Sequence, residues 1–298
     1  MGLEAFFLQK RRVFAFTMVS PGEPCGFVMT SVDYRNRVFP GTTQFLASIA
    51  WRAGGRVATS LLWAKVLRVW MLGLALLLVA HQSQAASWPD PERLRASIDA
   101  FGAADLADPP PEGAVVGVGS SSMWIWQTGS RFSTDFAPLT VINRGFGGSV
   151  MNDVHHFLAE TVLRYRPRAV LIYEGDNDVS LGIPVEKIMA SLQAIVEQIH
   201  HQDAWVRIYL MSVKPSPARW ALWPAMQELN RAYQGYAATD QRIVYLDLGT
   251  TMLTAAGEPD SDIFVSDGLH MNAKGYALWR RSVADLVVTL EQSFEPTP

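Results

Sequence analysis

The 298-residue sequence contains a single cysteine, Cys25, so the chain beyond it can form no disulfide and offers no thiol nucleophile. It lacks the GxxxxGK(S/T) pattern of a phosphate-binding loop. The apolar run Val69–Ala80 has twelve residues, fewer than the roughly 20 that cross a bilayer. Beyond Cys25, these absences exclude a disulfide-stapled scaffold, a thiol enzyme and a P-loop nucleotide hydrolase.

Basic residues are scarce in the larger part of the chain. Residues 86–298 hold 16 Lys or Arg and 25 Asp or Glu, a net charge of −9, whereas residues 1–85 carry +6. Nucleic-acid phosphates require a basic face, and the sequence has no basic stripe with interleaved aromatics. We therefore expect no nucleic-acid partner.

The basic N-terminal part resembles a secretory leader over residues 61–86. Lys65 and Arg68 precede the twelve-residue apolar run, and small residues follow at Ser83-Gln84-Ala85, the favoured cleavage site. Gln84-Ala85-Ala86 is the second choice. An uncleaved membrane anchor through residues 61–80 is the alternative. We expect a periplasmic or secreted protein, or one anchored to the inner membrane.

Residues 1–60 show no convincing hydrophobic period and scatter Gly, Pro and Arg. Sixty residues before a signal peptide is an unusual length. We interpret this segment as an over-long start assignment, with a cytoplasmic extension as the alternative.

From residue 87 onward, short β-branched segments alternate with amphipathic helical segments. This alternation predicts βαβ units in one three-layer α/β/α sandwich with a central parallel sheet, a single domain over residues 87–298. The predicted strands are 114–118, 139–142, 169–173, 206–211 and 242–246. The predicted helices are 90–101, 151–164, 185–199, 223–238 and 272–291.

Polar or Gly-rich segments follow several of these strands, and active sites collect at the carboxyl ends of parallel strands. The segments are Gly119-Ser120-Ser121-Ser122, Asn143–Ser149, Gly175–Asp178 and, nearer the C-terminus, Ser266–His270. Together they supply a Ser, a His and an Asp, the side chains of nucleophilic ester hydrolysis. Each also has a structural alternative: a helix N-cap for the serines, a plain turn for the glycines, a capped turn for Asn177, and a helix cap for Asp267.

The four segments, in their order and spacing, resemble the SGNH (GDSL-like) hydrolase family over residues 112–290. The resemblance implies a flavodoxin-like α/β/α fold and a triad of Ser121, His270 and Asp267. It also implies an oxyanion hole from the backbone of Ser121, the backbone of Gly148 and the side chain of Asn177. No cofactor or metal is expected.

The sequence departs from the family at Ser120, where an Asp usually precedes the nucleophile. That Asp is not a triad member, so we expect the turn to differ in detail without loss of activity. Aligning Gly119 with the family Gly selects Ser121 over Ser120 and Ser122. The Gly-Ser-Ser-Ser form followed by Trp126 is a variant of the family pattern.

The sequence also gives expectations for residues outside the triad and the oxyanion hole. The pairs His155-His156 and His200-His201 are interpreted as helix-surface residues, and Asp176 and Asp178 as turn residues instead of metal ligands. We expect Trp126 to pack, and Trp220 and Trp223 either to pack or to form a lid or an acyl or sugar platform. Arg144 is expected to contact an acidic substrate group or to be solvated.

The sequence thus predicts a serine esterase acting on acyl esters, either O-acetyl groups of carbohydrate or short-chain lipid esters, with a small-molecule, glycan or lipid ester as its substrate partner. Lysophospholipase or thioesterase activity is equally compatible with the motifs. An acyltransferase or a non-catalytic envelope protein that binds glycan are the further alternatives.

Overall fold

A computed structural model of the chain describes residues 5–9, 12–18, 27–33 and 86–295. The chain divides into two compact units, Met1–His81 and Gln82–Pro298. The predicted leader or anchor, apart from Ala86, and Cys25 lie outside the described residues. Among the described residues, no helix is long and apolar enough to cross a membrane.

The first unit contains an antiparallel sheet in the order β1-β2-β3. Its strands are β1 Ala5–Gln9, β2 Arg12–Met18 and β3 Phe27–Asp33. The sequence pattern predicts no element here. The strands are rich in aromatic and β-branched residues that run almost continuously, so they lack the apolar–polar alternation by which a half-buried strand is recognised.

The second unit is built on a parallel sheet in the order β5-β4-β6-β7-β8. Its strands are β4 Val115–Gly119, β5 Val141–Gly145, β6 Ala169–Tyr173, β7 Arg207–Met211 and β8 Ile243–Leu246. Helices cover both faces, which confirms the predicted three-layer α/β/α class. The predicted strands match to within one or two residues, except that β5 extends three residues further, to Gly145.

Two apolar clusters fill the space between the sheet and its two helical layers. The helices are α1 Arg95–Ala107, α2 Ser121–Trp126, α3 Arg131–Asp135, α4 Met151–His156, α5 Leu158–Thr161, α6 Asp176–Ser180, α7 Val185–Gln202, α8 Trp223–Ala237, α9 Ala273–Trp279 and α10 Asp285–Glu291. On β4, Val116 and Val118 face the cluster beneath α1, α4, α7 and α8, while Val115 faces the cluster beneath α2, α9 and α10.

Two predicted helices are interrupted. The segment 151–164 breaks at Phe157 (φ −96°, ψ 15°) and Val162 (φ −131°, ψ −62°), both fully buried. Packing of these side chains thus overrides the helical pattern of the sequence. The closing helix 272–291 contains a π-helical segment at Arg280–Ala284 between α9 and α10.

Candidate active site

The five predicted site residues lie after strands whose carboxyl ends meet at one edge of the sheet. Ser121 follows β4, and Gly148 and Asn177 follow its two neighbours, β5 and β6. Asp267 and His270 come from the segment after β8, and His270 reaches back to Ser121. The topology therefore gathers residues that are up to about 150 positions apart in sequence.

The turn that presents Ser121 depends on Gly119. This glycine has φ +145°, and a Cβ there would lie 2.0 Å from the carbonyl oxygen of Tyr173. Because only glycine fits this backbone and this contact, the chain can turn sharply from β4 into α2. Ser121 is the first residue of α2, so its backbone N–H has no partner within the helix.

The three neighbouring serines have different environments. Ser121 Oγ lies 2.9 Å from His270 Nε2. The hydroxyls of Ser120 and Ser122 are buried and make no hydrogen bond. Ser120 occupies the N-cap position of α2, but its side chain makes no capping bond. The geometry thus singles out Ser121, the serine chosen by alignment on Gly119.

Asp267 holds the imidazole of His270 through a turn. Asp267 Oδ2 lies 2.7 Å from His270 Nδ1, while Oδ1 accepts the backbone N–H groups of Leu269 at 2.8 Å and His270 at 2.9 Å. The hydrogen bond from the His270 side chain and these two backbone bonds lower the pKa of Asp267 to about 2. The cap of α9 is Asn272, so the alternative in which Asp267 caps the closing helix is wrong.

The Asp267–His270 loop lies at the protein surface, with 46% of the Asp267 side chain and 30% of the His270 side chain exposed. Buried Phe264 and Met271 pair in an antiparallel bridge at the base of the loop. The two side chains are therefore accessible to solvent, while the bridge at the base of the loop holds the loop in place.

The loop after β5 is fixed by Arg93, a residue that no sequence motif marks. Gly148 has φ +77°, where a side chain would be strained, and its carbonyl accepts a hydrogen bond from Arg93 Nη2 at 3.2 Å. Arg93 also pairs with the buried Asp153 at 2.6 Å, and Asp153 accepts the backbone N–H of Val150. This network fixes the Gly148–Ser149 peptide, the unit next to the one that carries the Gly148 N–H.

Asn177 is held at both ends of its side-chain amide. Its Nδ2 donates to the carbonyl of Ser149 at 2.8 Å, and its Oδ1 accepts from Arg219 Nη2 at 2.8 Å. An amide nitrogen carries two N–H groups, so one remains to donate elsewhere. Asn177 is therefore a hydrogen-bond donor held in a fixed orientation. The alternative in which it only caps a turn does not account for these two side-chain hydrogen bonds.

Three acidic residues around Asn177 are buried. Burial raises the pKa of Glu174 well above its ordinary value and that of Asp178 to about 6. Burial also opposes ionisation of Asp176, but the charges of Lys214 and Arg219 outweigh it and lower the Asp176 pKa. The interpretation of Asp176 and Asp178 as simple turn residues was thus incomplete, because both carboxylates hold other elements in place.

Asp178 accepts hydrogen bonds from the indole of Trp88 at 2.7 Å and from the backbone N–H of Met151. Glu174 accepts the hydroxyl of Ser149, the residue that follows Gly148. The bonds from Met151 and Ser149 tie the segment after β6 to the segment after β5, and the bond from Trp88 ties it to the segment before α1.

Arg144 does neither of the two things expected of it. It pairs with Asp105 and donates to the Tyr165 hydroxyl at 2.7 Å, with its guanidinium over the Phe101 ring. Arg144 and Ile142 are two residues apart on β5 and share the face covered by α1, so the side chain points away from the site.

The aromatic residues near the site are mostly structural. Trp126, Phe146 and Trp223 are buried, and Trp220 stacks on Trp223 with ring centroids 6.0 Å apart. Trp126 packs as expected, whereas Trp223 is too buried to serve as a platform. Trp124, 56% exposed and one helical turn from Ser121, remains available to a ligand.

The histidine pairs lie on helices and bind polar neighbours. His155 contacts Gln198 at 2.8 Å, and His200 contacts the carbonyl of Val206 at 3.0 Å. His156 Nε2 lies 3.0 Å from a carboxylate oxygen of Glu92. Within the described residues, no group of three or more His, Cys, Asp or Glu could hold a metal ion.

Residues 85–278, well over half of the chain, match the family model of the GDSL-like Lipase/Acylhydrolase family. The chain belongs to this family. Its membership agrees with the parallel sheet and with the strand-end residues described above. A search of curated proteins gave no match.

Solved structures share the fold of this GDSL-like chain at low sequence identity. A Streptococcus pneumonia protein described as a platelet activating factor is 19% identical with a TM-score of 0.58, covering 72% of this chain and 99% of its own. A GDSL-like lipase from Bacteroides thetaiotaomicron VPI-5482 is 19% identical with a TM-score of 0.56, covering 65% and 98%. A Bacteroides fragilis protein described as an acylhydrolase is 18% identical, with a TM-score of 0.57 and coverage of 64% and 96%.

Membership of the GDSL-like family makes the chain a hydrolase that acts on ester bonds.

Proposed function

We propose that this GDSL-like hydrolase is a serine esterase that cleaves small acyl esters through Ser121, His270 and Asp267. The observation that supports it is the continuous chain of hydrogen bonds from Ser121 Oγ through the His270 ring to Asp267, at 2.9 and 2.7 Å. This is the arrangement that activates a serine hydroxyl as a nucleophile.

In the proposed reaction, Ser121 Oγ attacks the ester carbonyl carbon while His270 Nε2 takes the hydroxyl proton. The tetrahedral intermediate then expels the alcohol, which receives that proton from His270, and an acyl-serine remains. Water repeats the sequence, releasing the acid and restoring Ser121. Asp267 keeps Nδ1 protonated and stabilises the imidazolium, a role consistent with its pKa of about 2.

The negative charge of the intermediate requires donors near Ser121. The proposed donors are the backbone N–H groups of Ser121 and Gly148 and the remaining N–H of Asn177. Their support is the helix start at Ser121 and the fixed loops around Gly148 and Asn177. Each donor typically contributes about 3–4 kcal/mol to transition-state stabilisation.

The proposed substrate carries an acetyl or short-chain acyl group, on either a carbohydrate or a lipid alcohol. Trp124, 56% exposed and one helical turn from Ser121, offers an aromatic surface beside the proposed nucleophile. A secreted, periplasmic or membrane-anchored location remains part of the proposal and rests on the leader-like sequence at residues 61–86.

The test is hydrolysis of p-nitrophenyl acetate, butyrate and octanoate by the full chain. We expect turnover that declines with acyl length and disappears in Ser121→Ala. Ser120→Ala and Ser122→Ala are matched controls, because they remove neighbouring hydroxyls that make no hydrogen bond. Loss of turnover in a control but not in Ser121→Ala would overturn the assignment of the nucleophile. A preference for octanoate would favour a lysophospholipase-like activity.

A further inference from the structure

Arg219 lies in the loop after β7, between the loop that carries Asp267 and His270 and the helix that carries Asn177. It belongs to the 3₁₀ segment Pro217–Leu222, and 16% of its side chain is exposed. Its Nη2 donates to Asn177 Oδ1 at 2.8 Å, and its Nη1 lies 3.3 Å from Asp176 Oδ2. The guanidinium thus spans two adjacent residues of α6.

The contact with Asn177 decides which way its amide faces. A guanidinium has only donors, so the group that meets it must be the amide oxygen. The amide nitrogen then faces the carbonyl of Ser149 at 2.8 Å, with its second N–H free. In the flipped amide, nitrogen would oppose the donors of Arg219 and oxygen would oppose the Ser149 carbonyl, so both bonds would be lost.

Arg219 is itself held in a network of buried charges. Asp176 Oδ2 is shared between Arg219 and Lys214, whose Nζ lies 3.2 Å away and is almost fully buried. Lys214 Nζ also contacts the Tyr173 hydroxyl at 3.2 Å. With Asp176 fixed by Lys214, the guanidinium has a defined position from which to reach Asn177.

The same segment also contacts the loop that carries the histidine. The backbone N–H of Ala218, next to Arg219, donates to the carbonyl of Gly268 at 3.0 Å. Gly268 lies between Asp267 and His270. Residues 218 and 219 therefore connect the loop of the proposed base to the amide of the proposed oxyanion hole.

We propose that Arg219 is a positioning residue that orients the Asn177 amide toward the oxyanion. This inference rests on the proposed esterase function. Arg219 acts through Asn177 and does not itself contact the reacting atoms. Its loss should therefore reduce kcat and leave KM nearly unchanged, because the oxyanion forms in the transition state and the tetrahedral intermediate and is absent from the bound ester.

A double-mutant cycle on the full chain tests this role. Arg219→Met keeps most of the side-chain length but removes the donors, and we expect kcat on p-nitrophenyl acetate to fall roughly 10–100-fold. In the Asn177→Ala background, the same substitution should have almost no further effect on kcat, since the amide it positions is gone. Active enzyme is counted by complete labelling with a fluorophosphonate probe.

Arg207→Met is the matched control. Arg207 also pairs with a buried carboxylate, that of Glu291, but at the amino end of β7, away from the site. We expect it to lower thermal stability without changing kcat per labelled serine. Arg219→Lys should keep a cation beside Asp176 and recover stability. Its kcat should stay below the wild-type value, because a single ammonium nitrogen cannot reproduce the two separate Arg219 nitrogens that contact Asp176 and Asn177.

The outcomes separate two failures. If Arg219→Met and Asn177→Ala reduce kcat by factors that simply multiply, or if both Arg219 variants keep wild-type kcat per labelled serine, the positioning role is overturned. If Arg219→Met does not fold, the cycle is run with Arg219→Lys. Absence of Ser121-dependent turnover in the wild type would instead reject the proposed function itself.

Discussion

The exposed carboxylate of Asp267 accepts three hydrogen bonds, which have two different effects. The bonds to the backbone N–H groups of Leu269 and His270 shape the loop, and the bond to the His270 ring selects its tautomer. The sequence showed the Asp and His three positions apart. It could not show that the loop turns back on itself, because that turn depends on the bridge between Phe264 and Met271.

Asp267→Asn should lower kcat by about 10³–10⁴, because an amide can present its N–H to His270 Nδ1 and stabilise the wrong tautomer. The fold should survive, since the side chain is exposed. Steady-state kinetics on p-nitrophenyl acetate measure the effect. Asp285→Asn, an exposed carboxylate on α10, is the control and should retain wild-type kcat. A loss of less than tenfold would argue against the orienting role of Asp267.

Protonation of Asp267 should not limit kcat/KM at any pH above about 4, which the pH profile of kcat/KM measures. The hydrogen bond from His270 and two backbone bonds hold the pKa of Asp267 at about 2, so this group stays ionised over the working range. Because the folded pKa is lowered, its stabilising effect is complete above about pH 4 and is lost as pH falls toward about 2. A two-proton acid limb in the rate profile would contradict this.

At the scale of an element, the turn from β4 into α2 depends on Gly119. The strand, the turn and the serine run could be predicted, because apolar β-branched residues end at a Gly-Ser sequence. The close approach of Gly119 to the Tyr173 carbonyl could not, since it joins two strands that are about 55 residues apart in sequence.

Gly119→Ala should prevent folding or destabilise the protein by more than about 3 kcal/mol, because the added Cβ would lie 2.0 Å from a backbone oxygen at φ +145°. Gly235→Ala in α8 is the matched control. No atom lies within 4 Å of its added Cβ, so it should be neutral or stabilise by up to about 1 kcal/mol. Chemical denaturation measures both, and a Gly119→Ala protein of wild-type stability would contradict the account of this turn.

The residues that hold the proposed site in place are harder to predict from sequence than the residues of the proposed site. Motifs predict Ser121, Asp267 and His270, because the chemistry proposed for them restricts residue type and order. Arg93, Lys214 and Arg219 were missed, because nothing in local sequence marks an arginine or lysine whose partner lies about 40–60 residues away. Similarly, the breaks at Phe157 and Val162 reflect packing against the sheet and leave no trace in helical periodicity.

At the scale of the whole molecule, the segment before α1 is joined to the loops of the proposed site. Trp88 donates to Asp178 in α6, and Arg93 holds Gly148 and Asp153. Cleavage after Ala85, as predicted from the sequence, would leave both interactions intact. The N-terminus of the processed protein would then still support the loops after β5 and β6.

Trp88→Phe should lower the free energy of unfolding by about 1–3 kcal/mol, because the buried Asp178 loses a donor. Burial raises the Asp178 pKa to about 6, so the folded state favours its protonated form and stability falls as pH rises from about 4 through 6. Urea titrations at pH 5 and 7 measure both effects. Trp205→Phe, 81% exposed, is the control and should change stability little; an equal loss in the two variants would contradict a specific role for the Trp88 bond.

The assignment of Ser121 as the activated nucleophile of this GDSL-like hydrolase is the proposal on which the other proposed roles depend. The most direct measurement is labelling of the full chain with a fluorophosphonate, followed by mass-spectrometric mapping of the modified peptide. We expect one adduct, on Ser121, with labelling abolished in Ser121→Ala and strongly slowed in His270→Ala. An adduct on Ser120, Ser122 or another residue, or no labelling of folded protein, would contradict it.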